Sequence, residues 1–194
     1  MKSKLLLLLL FLLVHLQNSA QNKKVLLEET ITNVIIAFRE KNTKAINNYV
    51  SKENGITILV KYGVLNNYKI IDSLNFKNPT PNYLPYAEPV SNAKITYNTS
   101  PTFDCNTYTW STKGLFCDTL KTNALLSNTI KNLKYELSST TYSNELKRAL
   151  DLEKISYRII LVDKNDEDLI FYLSYINKKW MLTLIDRVTT DCSA

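Results

Sequence analysis

The sequence predicts an α+β domain in which N-terminal helices pack on an antiparallel sheet. Three observations carry that prediction. Residues 22–41 place Leu27, Ile31, Val34, Ile35 and Phe38 at helical spacing. The C-terminal third alternates inward and outward residues over three successive runs. Between these regions all five prolines fall within residues 79–101. A long insert therefore separates the helical start from the clearest strands. The chain has 194 residues, 45% hydrophobic and 22% charged. That suffices for one domain with a full core and is too apolar for a disordered chain.

Each element has its own signal. After the first helix, Thr43 is positioned to N-cap a short helix 44–50 with Ile46, Tyr49 and Val50 inward. Ser51 to Gly55 reads as a turn. Ile56, Ile58, Val60, Tyr62 and Val64 then alternate along a strand. Asn66-Asn67 reads as the turn to a partner over 68–74. Residues 75–101 read as loop, because proline cannot donate to a ladder, with a short strand at 94–97. Phe76, Tyr83 and Tyr86 are its apolar anchors. They either pin the loop to the core or face a ligand or partner. Residues 107–118 read as a hairpin turning at 111–114. Helices follow at 122–137, with Leu126, Ile130, Leu133 and Leu137 inward, and at 143–152, with Leu146, Ala149 and Leu150 inward and Ser143 or Thr141 as cap. The closing meander runs from Ile155 through Leu161, from Leu169 through Tyr175, and from Trp180 to about Val188, with one face packed and one partly exposed.

The N-terminus reads as an address. Lys2 and Lys4 precede an unbroken apolar run, Leu5 to Val14, and Ser19-Ala20 closes it with small residues. This is the pattern of a secretory signal peptide, residues 1–20, cleaved after Ala20 to leave a single α+β domain over 21–194. The alternative is an uncleaved anchor, but a spanning helix needs about 20 apolar residues. Losing Lys2 and Lys4 lowers the net charge from +6 to +4. The single histidine, His15, leaves with the same segment. The processed chain would then lack Ser-His-Asp and Cys-His catalysis, His-ligated metals and a histidine pH switch. The expected compartment is periplasmic or extracellular.

Other classes are excluded by composition. Gly55, Gly63 and Gly114 are too scattered for a phosphate-cradling loop. The lysines form no concentrated basic face, so no nucleic-acid partner is expected. Asp163, Asp166, Glu167 and Asp168 lack the spacing of a calcium loop. No metal or cofactor is expected. Asn98-Thr99-Ser100 matches a glycosylation acceptor that matters only in a eukaryotic host.

Two helices over 22–50, then strands, then a meander ending FYLSYINKKWMLTLIDR at Phe171–Arg187 resemble the nuclear-transport-factor-2-like, or ketosteroid-isomerase-like, cone. The Phe-x-x-Lys-Asn-x-x-x-Ile pattern of Phe38–Ile46, Asn54-Gly55-Ile56 entering a strand, and Lys178-Lys179-Trp180 are similar to exported bacterial members of uncharacterised function. The resemblance covers about half of residues 21–194. It implies a strongly bent sheet whose open end is a pocket. The insert at 75–119 departs from a minimal cone and either covers that pocket or plugs it.

Cys105, Cys117 and Cys192 form at most one pair. In a 107–118 hairpin, Cys105 would lie roughly 10 Å from Cys117, beyond disulfide reach. That favours Cys105–Cys192, with Cys105–Cys117 as the alternative and Cys117 as a buried thiol. Without histidine, acid–base chemistry falls to carboxylates, Tyr and Lys. Asp186 shares the parity of Trp180, Leu182 and Leu184. It is a strand-end cap, a structural ion pair, or a pocket carboxylate in a His-free Asp/Tyr enzyme. Trp110 is a core aromatic or a binding platform. The balance is against an enzyme. The expected function is non-catalytic binding of a small apolar ligand, or of an envelope or extracellular protein, with Trp110, Tyr83, Tyr86 and Asp186 as candidate contacts.

Overall fold

A computed structural model describes residues 2–90, 93–120 and 123–193, with side chains from Gln21 onward. The first helix, α1, runs Lys2–Arg39. It begins twenty residues before the expected start, since no proline or glycine interrupts the chain between the apolar run and Lys24. A short helix α2 follows at Thr43–Asn47. Its cap is Asn42, whose Oδ1 accepts from the Ala45 amide at 3.0 Å, and not Thr43.

Strands β1 (Ile56–Tyr62) and β2 (Leu65–Ile71) form a hairpin. Its turn is Gly63-Val64, not Asn66-Asn67, because Tyr62 pairs with Leu65. Gly63 supplies the positive φ of 63° that this tight turn needs. The proline-rich stretch follows, and β3 (Ile95–Tyr97) ends it. The expected 107–118 hairpin does not form. Strands β4 (Phe103–Asp104) and β5 (Thr109–Trp110) pair with each other as a two-stranded flap. Strand β6 (Gly114–Asp118) joins the main sheet instead. Leu115, Phe116 and Cys117 are all buried, so β6 needs cover on both faces, which an isolated hairpin cannot give.

Helices α3 (Leu125–Asn132) and α4 (Ser139–Lys154) follow, and α4 starts earlier than expected. Ser138 caps α4, its Oγ accepting from the Thr141 amide. Leu150 is 40% exposed, and Glu153 is buried in its place. Strands β7 (Ser156–Val162), β8 (Asp168–Ile176) and β9 (Lys179–Asp186) form the expected meander. Asn177 and Lys178 both take positive φ in its last turn.

The main sheet is open, with order β2-β1-β9-β8-β7-β6-β3. It is mixed rather than purely antiparallel: β1 lies parallel to β9, and β3 parallel to β6. Both faces are covered. On one face, Leu27, Ile31, Val34 and Phe38 of α1 meet Ile58, Ile159, Phe171 and Leu182. On the other, Leu126, Ile130 and Ala149 of α3 and α4 meet Leu59, Tyr172 and Leu184. The expectation of one partly exposed face is corrected by these two helices, which cover Leu59, Tyr172 and Leu184, and by the β4-β5 flap, whose Phe103 and Trp110 cover Ile160 and Ile170.

Candidate functional site

The sequence candidates disperse. Asp186 has a different face from the one parity assigned. A register shift between Tyr172 and Leu173 leaves Thr183 as an extra residue, so Leu182 pairs with Leu173 and Leu184 with Tyr172. Beyond that bulge, Asp186 points away from Trp180 and Leu182. Its carboxylate is fully buried and pairs with Arg158 Nη2 at 2.8 Å. It also accepts from the Val188 and Thr189 amides at 3.1 and 3.0 Å and from Thr189 Oγ1 at 2.7 Å. Asp186 thus closes the turn after β9 and neutralises a buried guanidinium.

Trp110 is buried against Phe103, with ring centroids 5.3 Å apart, and joins Phe116, Ile160 and Ile170 in a small core. Its Nε1–H donates to Asp168 Oδ2 at 3.1 Å. Burial pushes the Asp168 carboxyl above its usual range, and the Trp110 hydrogen bond opposes that shift. Tyr86 is also buried, edge-on to Phe38 and Phe76, and its hydroxyl accepts from the Thr80 amide. Tyr83 is 69% exposed.

These contacts define the proline-rich loop as a strap. Arg187 donates to the carbonyls of Thr80 and Pro85 at 2.7 and 2.6 Å, and its guanidinium lies 4.9 Å above the Tyr86 ring. Asp163 accepts from the Val90 amide and Glu167 from the Glu88 amide. The strap borders a shallow cleft of about 240 Å³ that Tyr86 and Asp186 both line. Arg187 is already committed there to two carbonyls. The disulfide joins Cys105 to Cys192 with Cα atoms 5.5 Å apart, and Cys117 is a buried free thiol. Among the described residues no group of three His, Cys, Asp or Glu could hold a metal.

A larger groove, about 460 Å³, opens elsewhere, between the Lys23–Leu27 turn of α1 and one end of the sheet. Leu27, Tyr157 and Trp180 line it on the apolar side, with Tyr97 opposite and Lys23 and Lys24 along α1. Its wall is aromatic because the meander's register stacks rings from three neighbouring strands. Tyr175 pairs with Trp180, their centroids 5.0 Å apart, and Tyr157 lies 5.1 Å from Trp180. The Trp180 Nε1–H donates to the Lys23 carbonyl at 3.1 Å, which fixes α1 against the sheet at the groove's edge. The Lys23 ammonium sits 4.3 Å over the Tyr175 ring and 5.2 Å over Trp180.

Across the groove, the Tyr97 hydroxyl donates to Glu28 Oε1 at 2.8 Å, and Lys24 lies 4.9 Å from the Tyr97 ring. Burial first, and then the Glu28 bond, push the Tyr97 phenol well above its usual range, so it stays a donor. Asn98 and Thr119 complete the rim, bonded to each other at 2.8 Å. None of Trp110, Tyr83, Tyr86 or Asp186 lines this groove. The missed signal was three aromatics, Tyr157, Tyr175 and Trp180, clustered on inward parity at one end of the meander.

Fold and groove together define a mixed α+β protein with helices on both faces of an open sheet and an aromatic cleft at one end. No family model, curated protein or solved structure matches the chain. Among the described residues no helix is long and apolar enough to cross a membrane.

Proposed function

We propose that this chain is an exported, non-catalytic binding protein that holds a small apolar ligand in the groove between α1 and the sheet. The observation that carries the reading is the groove itself. Its volume of about 460 Å³ falls within the range of small-molecule sites, roughly 300–1,000 Å³. An aromatic wall with a few polar groups at the rim is the usual composition of such sites.

Several features support the rest of the reading. The apolar run Leu5–Val14 and the Cys105–Cys192 disulfide fit an oxidising compartment outside the cytoplasm. The Asp186 carboxylate is committed to Arg158 and to the turn after β9, which favours binding over Asp-based catalysis. A ligand site at one end of the sheet is also what kinship with the ketosteroid-isomerase-like cone would give.

Two measurements test this. The intact mass of the protein recovered from its host should correspond to residues 21–194; a chain retaining residues 1–20 overturns export by cleavage. Titration with the neutral apolar fluorophore N-phenylnaphthylamine should show one saturable site, abolished by Thr119→Trp at the rim. Absent saturation, or binding unchanged by that substitution, overturns the groove as the ligand site and leaves a protein-facing surface as the remaining function.

A further inference from the structure

We propose that the groove is selective for anionic amphiphiles, such as a free carboxylate on an apolar chain. The inference rests on the groove being the binding site and adds the sign and position of the ligand's charge. Lys23 and Lys24 bring two positive charges to one wall. Glu28 brings one negative charge, and it is already engaged with the Tyr97 hydroxyl at 2.8 Å and with Lys24 at 3.9 Å. Cleavage after Ala20 would add the α-ammonium of Gln21, two residues from Lys23, to a side-chain balance of one net positive charge.

Lys23 supplies that charge. Among the described residues no carboxylate pairs with its ammonium, which rests on the faces of Tyr175 and Trp180. Those ring faces hold the cation beside the apolar wall without neutralising it. A carboxylate can therefore reach Lys23 while its chain lies along Leu27, Tyr157 and Trp180. A cationic headgroup would meet Lys23 directly, on rings the lysine already occupies.

The probes are octanoate, octanol and octyltrimethylammonium, each kept below its micelle concentration. Binding is read by calorimetry and by the Trp180 indole N–H resonance, one of only two tryptophan signals in the protein. Octanoate is expected to bind about two- to fivefold more tightly than octanol, the effect of one partly exposed charge pair at Lys23. The cationic probe should be weakest. In the Lys23→Gln, Lys24→Gln double variant, octanoate should fall to the affinity of octanol. The Trp180 bond to the Lys23 backbone survives that change. Should the variant not fold, the wild type decides: the preference for octanoate must shrink as salt is raised. Equal binding of octanoate and octanol, a salt-independent ratio, or tighter binding of the cation overturns the charge selectivity and leaves the apolar groove standing. Binding of none of the three overturns both.

Discussion

Replacing Asp186 with alanine separates a structural anchor from a catalytic acid. The substitution removes the partner of Arg158, whose side chain is only 15% exposed, and leaves its positive charge uncompensated. It also strips the acceptor from the Val188 and Thr189 amides and from Thr189 Oγ1. Arg158 Nη2 keeps a neutral partner in Thr189 Oγ1 at 2.8 Å, but its Nε has none among the described groups and no second carboxylate pairs with the guanidinium there. Breaking one side of a buried, hydrogen-bonded ion pair costs about 3–5 kcal/mol. Against a total stability of about 5–15 kcal/mol for a domain, the variant should lose about a fifth or more of its margin. Urea unfolding with the disulfide intact reads this as a lower midpoint at unchanged slope. The companion double variant, Arg158→Met with Asp186→Leu, removes both charges and should lose less than the two single changes combined, by about 2 kcal/mol. Ligand affinity in the folded single variant should be unchanged, because Asp186 lies outside the groove. A loss below about 1 kcal/mol, or strict additivity, refutes the buried-pair argument.

The Cys105–Cys192 bond spans 87 residues, so replacing both cysteines with serine should cost up to about 4–5 kcal/mol by the chain-entropy relation. A urea midpoint unmoved by reduction would show that the tail is held by other contacts. Cys117 should resist thiol reagents in the folded state. Burial first, with Asp118 and Glu28 adding to it, pushes its thiol up to about 12, so almost no thiolate exists near neutral pH. One reactive thiol should appear only on unfolding, and fast labelling of the native protein would contradict its burial.

Much of the fold was legible along the chain because period and parity act locally. The α1 stripe from Leu27 to Phe38 and the meander with its Asn177-Lys178 turn follow from spacing alone. The Cys105–Cys192 pairing was also anticipated, although the hairpin from which Cys117 was excluded does not exist. Between β2 and β3 the described residues of the proline-rich stretch form loop, as the missing N–H donors require. Whether Tyr86 faced the core or a ligand depended on Arg187, a hundred residues away, which straps the loop down over it.

The candidate site was far less legible. One extra residue at Thr183 inverts the face of everything beyond it on β9, so the parity that placed Asp186 beside Trp180 failed. Trp110 was drawn inward by β6 and β7, partners that local alternation cannot identify. The groove joins α1 to β3, β7 and β9, and no single segment carries its signature. The sequence by itself determined which elements form and which chemistries lack their residues, because backbone propensity and composition are properties of the chain. Only the tertiary structure decided which aromatics line a cavity and which charges are spent. Those depend on strand register and on contacts between segments far apart in sequence, where one shifted residue changes the face a side chain presents.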